Sequence, residues 1–420
     1  MTRPRILIYS QSLVGLGHVV RGAALADALS PCYEVRLIGG WMTALKSSLE
    51  EAYCCVPLIP LRLDLSRKVN HPLEFEEDCS CLLSLQPDTP ASDAIEARKQ
   101  RIMQEIVEFK PDVIITEYYP FGRWVLGLEL LPAIDYARRQ GSRILCSIRD
   151  VLKPPSENSR WRHQLGTEYE AGFVRYYRRA VELLNLKYDA LLVHSDRQVV
   201  KLEDSMVEAK DITIPIIYTG YISTSINILE TDKEYHKAKS ADDPYIVISA
   251  GGGYGEFEFF RTWLPVLAQV RDTHLGSTGT IVALAGPLME DLSYLRLKEI
   301  CSVCPRTELR RYCNRFQELI DGAALSVSRA GYNTAFNLLR SHAPALLIPA
   351  SHLSDQPLRA HRFDALGIAS CCDPDARPAE GMNRVLAAMN RTFRRSMFDT
   401  HGAVHTLEAI QRILLGEPRS

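Results

Sequence analysis

The sequence predicts two α/β domains, each built on a parallel β-sheet with helices on both faces. Short apolar segments alternate with longer helical segments along most of the chain, and one polar stretch interrupts this rhythm. The short segments are continuously apolar, as is typical of strands buried on both faces of a parallel sheet. Their alternation with helices is typical of βαβ units.

The first domain is predicted from five apolar segments separated by helical patterns. The segments are 5–10, 34–39, 112–117, 143–148 and 189–195, and clear helical patterns cover 93–109 and 125–139. Since the rhythm continues until about residue 221, we assign residues 1–221 to an N-terminal Rossmann-like domain.

The second domain follows a predicted linker. Residues 222–244 are polar and charged and end in proline, which favours a linker. The rhythm then restarts with segments at 245–250, 280–286, 324–330 and 344–350. We assign residues 245–400 to a C-terminal Rossmann-like domain and 401–420 to a closing helix. Two such domains predict a cleft between them.

Composition excludes several classes of protein. The 420 residues include 49 Lys and Arg against 51 Asp and Glu, so a nucleic-acid partner is not expected. The short apolar start predicts a strand rather than a secretory signal, and no apolar run has the roughly 18 residues of a membrane span. We expect a cytoplasmic protein. The arginines and aromatic residues of 173–184 favour an ordinary surface helix, with at most peripheral membrane contact.

No metal site is predicted. Eleven cysteines in such a chain indicate reduced thiols. Cys301 and Cys304 have C-x-x-C spacing but lack the second paired motif of a zinc site. Asp373 and Asp375 form a D-x-D sequence within a proline-containing loop, which predicts a turn.

The stretch SLVGLGHVVRG, residues 12–22, places glycines where the first strand should pass into a helix. A dinucleotide fingerprint needs glycine or alanine where Val20 stands, and an acidic residue after the second strand is missing. A nicotinamide-dependent oxidoreductase is therefore not expected. Two interpretations remain: a structural turn with His18 buried, or a functional loop with His18 exposed at the start of the helix and Arg21 one turn later.

Glycine turns also follow strands of the second domain. Gly251, Gly252 and Gly253 follow its first strand, and Gly286 follows another. Gly331 precedes a predicted helix whose first turn holds Asn333 and Thr334. Backbone amides at helix N-termini favour phosphates, so these turns are candidate phosphate sites. Plain turns and helix caps remain the alternative.

These motifs resemble those of the nucleotide-sugar glycosyltransferases with the GT-B fold, two facing Rossmann-like domains with an interdomain cleft. The similarity is greatest to the bacterial predicted glycosyltransferases related to the undecaprenyl-muramoyl-peptide N-acetylglucosaminyltransferase of peptidoglycan synthesis. The segments that carry the resemblance include GLGHVVRG, TEYYPFGRW, ISAGGG, SRAGYNTAFNLL and SDQPLRA. They extend over roughly residues 5–370.

The resemblance implies that the C-terminal domain binds a nucleotide sugar, UDP-linked as in UDP-GlcNAc. Asp355 and Gln356 match a pair that reads the hydroxyls of the donor sugar. Asn337 stands where the family often has an acidic residue on the ribose. The implied donor-binding residues are Gly251, Gly252, Gly253, Gly286, Arg329, Gly331, Tyr332, Asn333, Thr334, Asn337, Asp355 and Gln356.

The resemblance further implies an acceptor in the N-terminal domain: a small molecule, a lipid-linked compound or a saccharide. Inverting transfer needs a base, and His18 suits that task because histidine titrates near neutral pH. The alternative is that His18 only binds a phosphate or hydroxyl group. Glu117 is a reserve base or a partner of His18. The implied acceptor-side residues are Gly15, Gly17, Arg21, Arg123 and Arg149. Surface or interdomain ion pairs are an equal alternative for Arg123 and Arg149. No metal or cofactor is implied. The alternatives are a sugar-nucleotide 2-epimerase of the same fold and a non-catalytic nucleotide-sugar-binding partner subunit.

Overall fold

A computed structural model describes residues 3–13, 17–40, 53–64, 79–152, 167–223, 243–350 and 355–416. The chain divides into two compact units. Unit 1 comprises Met1–Ile228 and Asp399–Ser420, and unit 2 comprises Leu229–Phe398. Each unit contains a parallel sheet, so the predicted α/β class is confirmed. Most of the predicted linker, residues 224–242, lies outside the described residues.

Unit 1 contains a seven-stranded parallel sheet and a separate antiparallel pair. Its strands are β1 (Arg5–Tyr9), β2 (Glu34–Gly39), β3 (Cys54–Pro57), β4 (Leu61–Leu63), β5 (Leu82–Ser84), β6 (Val113–Glu117), β7 (Arg143–Arg149), β8 (Ala190–His194) and β9 (Ile216–Tyr218). Its helices include α1 (Gly17–Leu29), α2 (Ala91–Phe109), α3 (Gly127–Arg139) and α4 (Thr167–Lys187). The order in the sheet is β3-β2-β1-β6-β7-β8-β9, and β4 pairs with β5.

Unit 2 contains a six-stranded parallel sheet. Its strands are β10 (Tyr245–Ser249), β11 (Thr280–Leu284), β12 (Thr307–Arg310), β13 (Leu325–Ser328), β14 (Ala345–Leu347) and β15 (Ser370–Cys371). Its helices are α5 (Phe257–His274), α6 (Asp291–Ser302), α7 (Phe316–Asp321), α8 (Tyr332–Arg340), α9 (Asp355–Ala365) and α10 (Pro378–Met389). The order is β12-β11-β10-β13-β14-β15.

Both sheets reverse their winding direction at one point. In unit 1 the chain runs outward in one direction from β1 and in the other from β6, so the switch point lies between these two strands. In unit 2 the switch point lies between β10 and β13. Ligands of doubly wound sheets bind beyond the carboxyl ends of the strands at such points. The loops after these four strands are therefore the expected positions of a ligand-binding site.

The central strands are apolar throughout because both of their faces are buried. In β1, Ile6 and Ile8 belong to one core cluster, and Leu7 and Tyr9 belong to another on the opposite side of the sheet. Each side chain alternates between two layers of helices, which explains why the strand shows no polar face. The same argument explains why the apolar segments of the sequence predict these strands within two or three residues.

The last helix, α11 (Gly402–Leu415), belongs to unit 1. Ala409 and Ile410 are buried in the core cluster that also contains Val19 of α1. At its start, a Cβ on Gly402 would lie 2.6 Å from the carbonyl oxygens of Gly220 and Tyr221. Glycine is therefore required at the start of α11, where the chain passes close to the residues that follow β9.

Two further findings concern the described residues. No helix among them is long and apolar enough to cross a bilayer. All eleven cysteines are free thiols, and the described His, Cys, Asp and Glu side chains form no group of three or more that could hold a metal ion.

His194, at the end of β8, is expected to make unit 1 less stable below pH 6.5. It is fully buried between the hydroxyl oxygens of Ser147 and Thr219, at 2.9 and 2.7 Å. Burial, followed by the charge of Arg21, holds the pKa of His194 well below its ordinary 6.5. The unfolded chain then binds a proton that the folded chain does not, so stability present above pH 6.5 is lost as the pH falls.

The loss from this one group is about 1.4 kcal/mol per pH unit below 6.5. Urea unfolding of the parent and of His194→Gln at pH 7.5, 6.5 and 5.5 checks it, since glutamine can bond to both hydroxyls without titrating. The parent should lose more stability than the variant between pH 6.5 and 5.5. Equal losses in the two proteins would contradict the assignment.

Candidate active site

His18 and Glu117 meet at the switch point of unit 1. His18 is the second residue of α1, and Glu117 is the last residue of β6. The Nδ1 atom of His18 lies 2.8 Å from both Oε1 and Oε2 of Glu117. The hydroxyl of Ser10, just after β1, donates to the backbone oxygen of His18 at 2.9 Å and fixes the start of the helix. The structure thus makes Glu117 a partner of His18.

The hydrogen bonds of His18 assign its tautomer. Nη2 of Arg149 lies 3.3 Å from Nε2 of His18. A guanidinium can only donate, so Nε2 carries the lone pair and Nδ1 carries the proton that is donated to Glu117. An imidazole whose Nδ1–H is held by a carboxylate and whose Nε2 is an acceptor has the arrangement of a general base.

The surroundings of this pair differ from the exposed loop that the glycine motif suggests. His18 is only 7% exposed, so the expectation of an exposed side chain is wrong. Its ring packs edge-on against Tyr118, with centroids 5.1 Å apart. Arg21 is buried as well, and its guanidinium contacts the Glu117 carboxylate. Tyr118, which covers His18, lies in the loop after β6 and is remote from His18 in the sequence.

The two acceptor-side glycines have different positions. Gly17 is exposed at the first position of α1, and a Cβ there would meet nothing within 4 Å. Gly15 lies outside the described residues.

Arg123 and Arg149 lie at the carboxyl ends of the next strands. Arg149 ends β7, and its Cζ lies 5.5 Å from the centre of the Tyr118 ring. Arg123 lies in the loop after β6 with φ of +63°. Burial, followed by the like charge of Arg149, lowers the pKa of Arg123 to about 10. The two guanidinium groups are therefore close enough to repel each other, and Arg149 is the one that contacts His18.

In unit 2, two glycine turns pack backbone to backbone beyond β10 and β11. A Cβ on Gly286 would lie 2.5 Å from the backbone of Gly252 and Gly253, and Gly286 has φ of +93°. The amide of Leu288 donates to the oxygen of Gly252 at 2.9 Å. Gly253 is buried against this turn, whereas Gly251 and Gly252 are exposed. Part of the glycine run thus serves loop packing, and part faces solvent.

The other predicted phosphate site is the start of α8, beyond β13. Gly331 is the N-cap residue, so no side chain caps the first turn. Tyr332 and Thr334 are buried, and Asn333 is half-buried. Asn337 lies on the next turn, half-buried, and its backbone oxygen accepts a hydrogen bond from Gln317 at 3.2 Å. An uncapped helix N-terminus at a switch point favours an anion.

Three predicted donor residues make bonds within unit 2. Arg329 pairs with Glu256 at 2.8 Å and donates to the carbonyl oxygens of Ile348 and Pro349, both at 3.1 Å. This guanidinium ties the loop after β14 to the start of α5.

Asp355 and Gln356 are also buried in internal contacts. Oε1 of Gln356 accepts from the amides of Ala330 at 3.2 Å and Ala350 at 2.9 Å, joining the loops after β13 and β14. Asp355 pairs with Arg359 at 3.2 Å. Gln356 therefore holds the loops that frame the start of α8, and Asp355 contributes through Arg359, whose Nη1 donates to the Ala330 oxygen at 2.5 Å.

Some contributors to these sites were not predicted from the sequence. Tyr118 packs on His18, and Glu256 holds Arg329. Neither carries a local signal, since each partner is remote in the chain. Arg359 did carry one, because it follows Asp355 at the i, i+4 spacing of helical ion pairs.

The comparisons with known proteins agree with this architecture. Residues 289–399 match the glycosyltransferase family 28 C-terminal domain. No curated protein matches the chain. Among solved structures, the calicheamicin glycosyltransferase CalG4 is similar at 15% identity, with a TM-score of 0.61 and full coverage of both chains.

Two further structures are similar over nearly their whole length. MurG of Acinetobacter baumannii shares 15% identity over 97% of this chain and 100% of its own, with a TM-score of 0.54. A putative UDP-N-acetylglucosamine 2-epimerase from Listeria monocytogenes shares 13% identity over 100% and 99%, with a TM-score of 0.61.

The structural likeness establishes the GT-B fold, as predicted. Together with the family match, it identifies the chain as a glycosyltransferase of the GT-B class. More particularly, unit 2 carries a family 28 C-terminal domain, which includes the predicted donor residues from Arg329 to Gln356.

Proposed function

We propose that this chain transfers a sugar from a UDP-linked donor such as UDP-GlcNAc to a hydroxyl or amine of an acceptor, with inversion and with His18 as the base. The observation that carries the proposal is the His18–Glu117 pair at the switch point of unit 1, with both carboxylate oxygens 2.8 Å from Nδ1. The acceptor is a small molecule, a lipid-linked compound or a saccharide.

In this reaction the acceptor oxygen or nitrogen attacks the anomeric carbon of the donor sugar. Nε2 of His18 takes the acceptor proton, and the Glu117 carboxylate stabilises the imidazolium that forms. The bond between the anomeric carbon and the diphosphate oxygen breaks, and the nucleoside diphosphate leaves with its electron pair. Attack from the face opposite the leaving group inverts the configuration.

Unit 2 supplies the donor-binding groups in this proposal. The exposed backbone at Gly251 and Gly252 and the uncapped start of α8 at Gly331 suit the diphosphate. The positive end of a helix stabilises charge on the leaving group, so the proposal invokes no metal or resident cofactor. No nucleic-acid partner is proposed. Membrane contact is at most peripheral, and the proposed location is the cytoplasm.

A sugar-nucleotide 2-epimerase is the second candidate, favoured by the structural likeness to the Listeria protein. An epimerase acts on the nucleotide sugar alone, whereas a transferase releases nucleoside diphosphate only when an acceptor is present. A non-catalytic nucleotide-sugar-binding subunit would do neither.

A panel of UDP-, dTDP- and GDP-sugars tests the proposal by thermal unfolding and product analysis. UDP-GlcNAc at about 100 times its Kd should stabilise the folded chain by about 2.7 kcal/mol, because only the folded state binds it. Acceptor-dependent release of UDP is the expected product result. Interconversion of two UDP-sugars without acceptor would establish the epimerase instead. No stabilisation by any member of the panel would contradict nucleotide-sugar binding.

A further inference from the structure

Arg123, Trp124 and Arg149 follow or end β6 and β7, at the edge of the sheet where His18 meets Glu117. Arg123 and Trp124 are consecutive residues of the loop after β6, and Arg149 is the last residue of β7. Arg149 links this group to the catalytic pair, since its Nη2 lies 3.3 Å from Nε2 of His18. The side chain of Tyr118 lies beneath both His18 and Arg149.

Two buried donors in this group have no acceptor. Within the described residues, Nη1 of Arg123 and Nε1 of Trp124 are buried without a hydrogen-bond partner. Buried donors in native proteins are nearly always satisfied, and an unsatisfied one costs about 1–3 kcal/mol. Two such donors on adjacent residues are therefore a feature that a bound acceptor group would explain.

The charge at this place is also unbalanced. The charge of Arg149 lowers the pKa of Arg123 and only tyrosines raise it, so no carboxylate in the described part of the chain compensates that guanidinium. Two buried arginines have compensating partners instead. Arg98 pairs with Glu129 at 2.7 Å, and Arg395 donates to three backbone oxygens at 2.7–2.8 Å. Arg123 is thus a cation whose local surroundings would be completed by an anion.

We propose that Arg123, Trp124 and Arg149 form an oxyanion subsite, and that the sugar acceptor carries a phosphoryl or carboxylate group bound there. Guanidinium groups bind both phosphoryl and carboxylate groups through paired N–H donors, and the indole N–H of Trp124 would donate one more hydrogen bond. An acceptor held by its anion at Arg149 has its nucleophile near Nε2 of His18. This inference rests on the proposed function, because it names the chemistry of the acceptor in that reaction.

Tryptophan fluorescence of the whole chain tests the subsite directly, without any sugar transfer. Inorganic phosphate and acetate are titrated at constant ionic strength, balanced with chloride, so that the two oxyanions are distinguished. Phosphate or acetate should change the emission in the parent and leave it unchanged in Trp124→Phe. Arg123→Gln should raise the half-saturating concentration at least tenfold. Arg139→Gln, an exposed arginine at the end of α3, is the matched control and should bind as the parent does.

Arg123→Gln removes a half-buried cation that lacks a compensating carboxylate among the described residues, so the variant should unfold at the same temperature as the parent or higher. Arg123→Lys is a second variant at this position. It keeps the positive charge but loses the paired N–H donors of the guanidinium, so it should also weaken oxyanion binding. Equal titrations of the parent and Arg123→Gln, or equal weakening in Arg139→Gln, would overturn the subsite.

Once an acceptor is found, Arg123→Gln should raise the KM of that acceptor at least tenfold and leave the Kd of the donor unchanged. A chain that binds no nucleotide sugar would contradict the proposed function while the fluorescence result still reports on the subsite.

Discussion

His18→Ala is expected to lower kcat for sugar transfer by about 10²- to 10⁴-fold, the usual contribution of general base catalysis. Nε2 of His18 is the lone-pair atom, and Glu117 holds Nδ1–H at 2.8 Å. Alanine removes the proton acceptor and leaves unit 2 unchanged. The Kd of the nucleotide sugar, measured by titration, should therefore stay within about twofold while single-turnover transfer slows.

A structural role for His18 predicts a different outcome, and two measurements separate the two roles. Added imidazole should restore part of the lost rate in His18→Ala, because it can enter the vacated space and accept the proton. His194→Gln is the matched control, because His194 is a second buried histidine of unit 1, and it should keep the parent rate at pH 7.5. Undiminished turnover in His18→Ala with intact donor binding would dismiss the base assignment.

The fold was predictable because its signal is local. Residues 34–39 predict β2 at its observed bounds, and the closing helix predicted within 401–420 is α11 at Gly402–Leu415. Each central strand carries its own evidence in a continuous apolar run. The strands that were missed, such as β12 and β15, have four and two residues and lie at sheet edges. So short a segment has too little pattern to be recognised.

The sites were predictable only as far as strand ends could be located. The ends of β1 and β6 place His18 near Glu117, 99 positions apart, because neighbouring parallel strands end at one edge. The burial of His18 depends on Tyr118 packing over it, which follows from backbone geometry rather than residue type. Likewise, Gln356 holds two backbone amides from separate loops. Such contacts arise from tertiary packing and leave no mark on the local sequence.

The glycines of unit 2 show how one motif combines two physical requirements. Gly286 has φ of +93° and lies against the backbone of Gly252 and Gly253, so a side chain there is excluded by both strain and space. Gly252 itself has no positive φ, and a Cβ on it would meet only Leu288, at 3.8 Å. Packing therefore explains the first glycine, whereas the second is free to serve close approach of a ligand.

Gly286→Ala is accordingly expected to destabilise unit 2 by about 2–5 kcal/mol, from left-handed strain of about 1–2 and backbone overlap of about 1–3. For a unit of this size, that lowers Tm by roughly 4–20 °C, which calorimetry of the parent and variant measures. Gly252→Ala is the matched control and should change Tm by no more than about 1 °C. If the diphosphate lies against that backbone, Gly252→Ala should nevertheless raise the Kd of the nucleotide sugar about tenfold. An unaltered Tm in Gly286→Ala would show that the two turns do not pack as described. An unaltered Kd in Gly252→Ala would remove that glycine from the donor site. The two variants thus test stability and donor binding separately, at neighbouring positions of the two packed glycine turns.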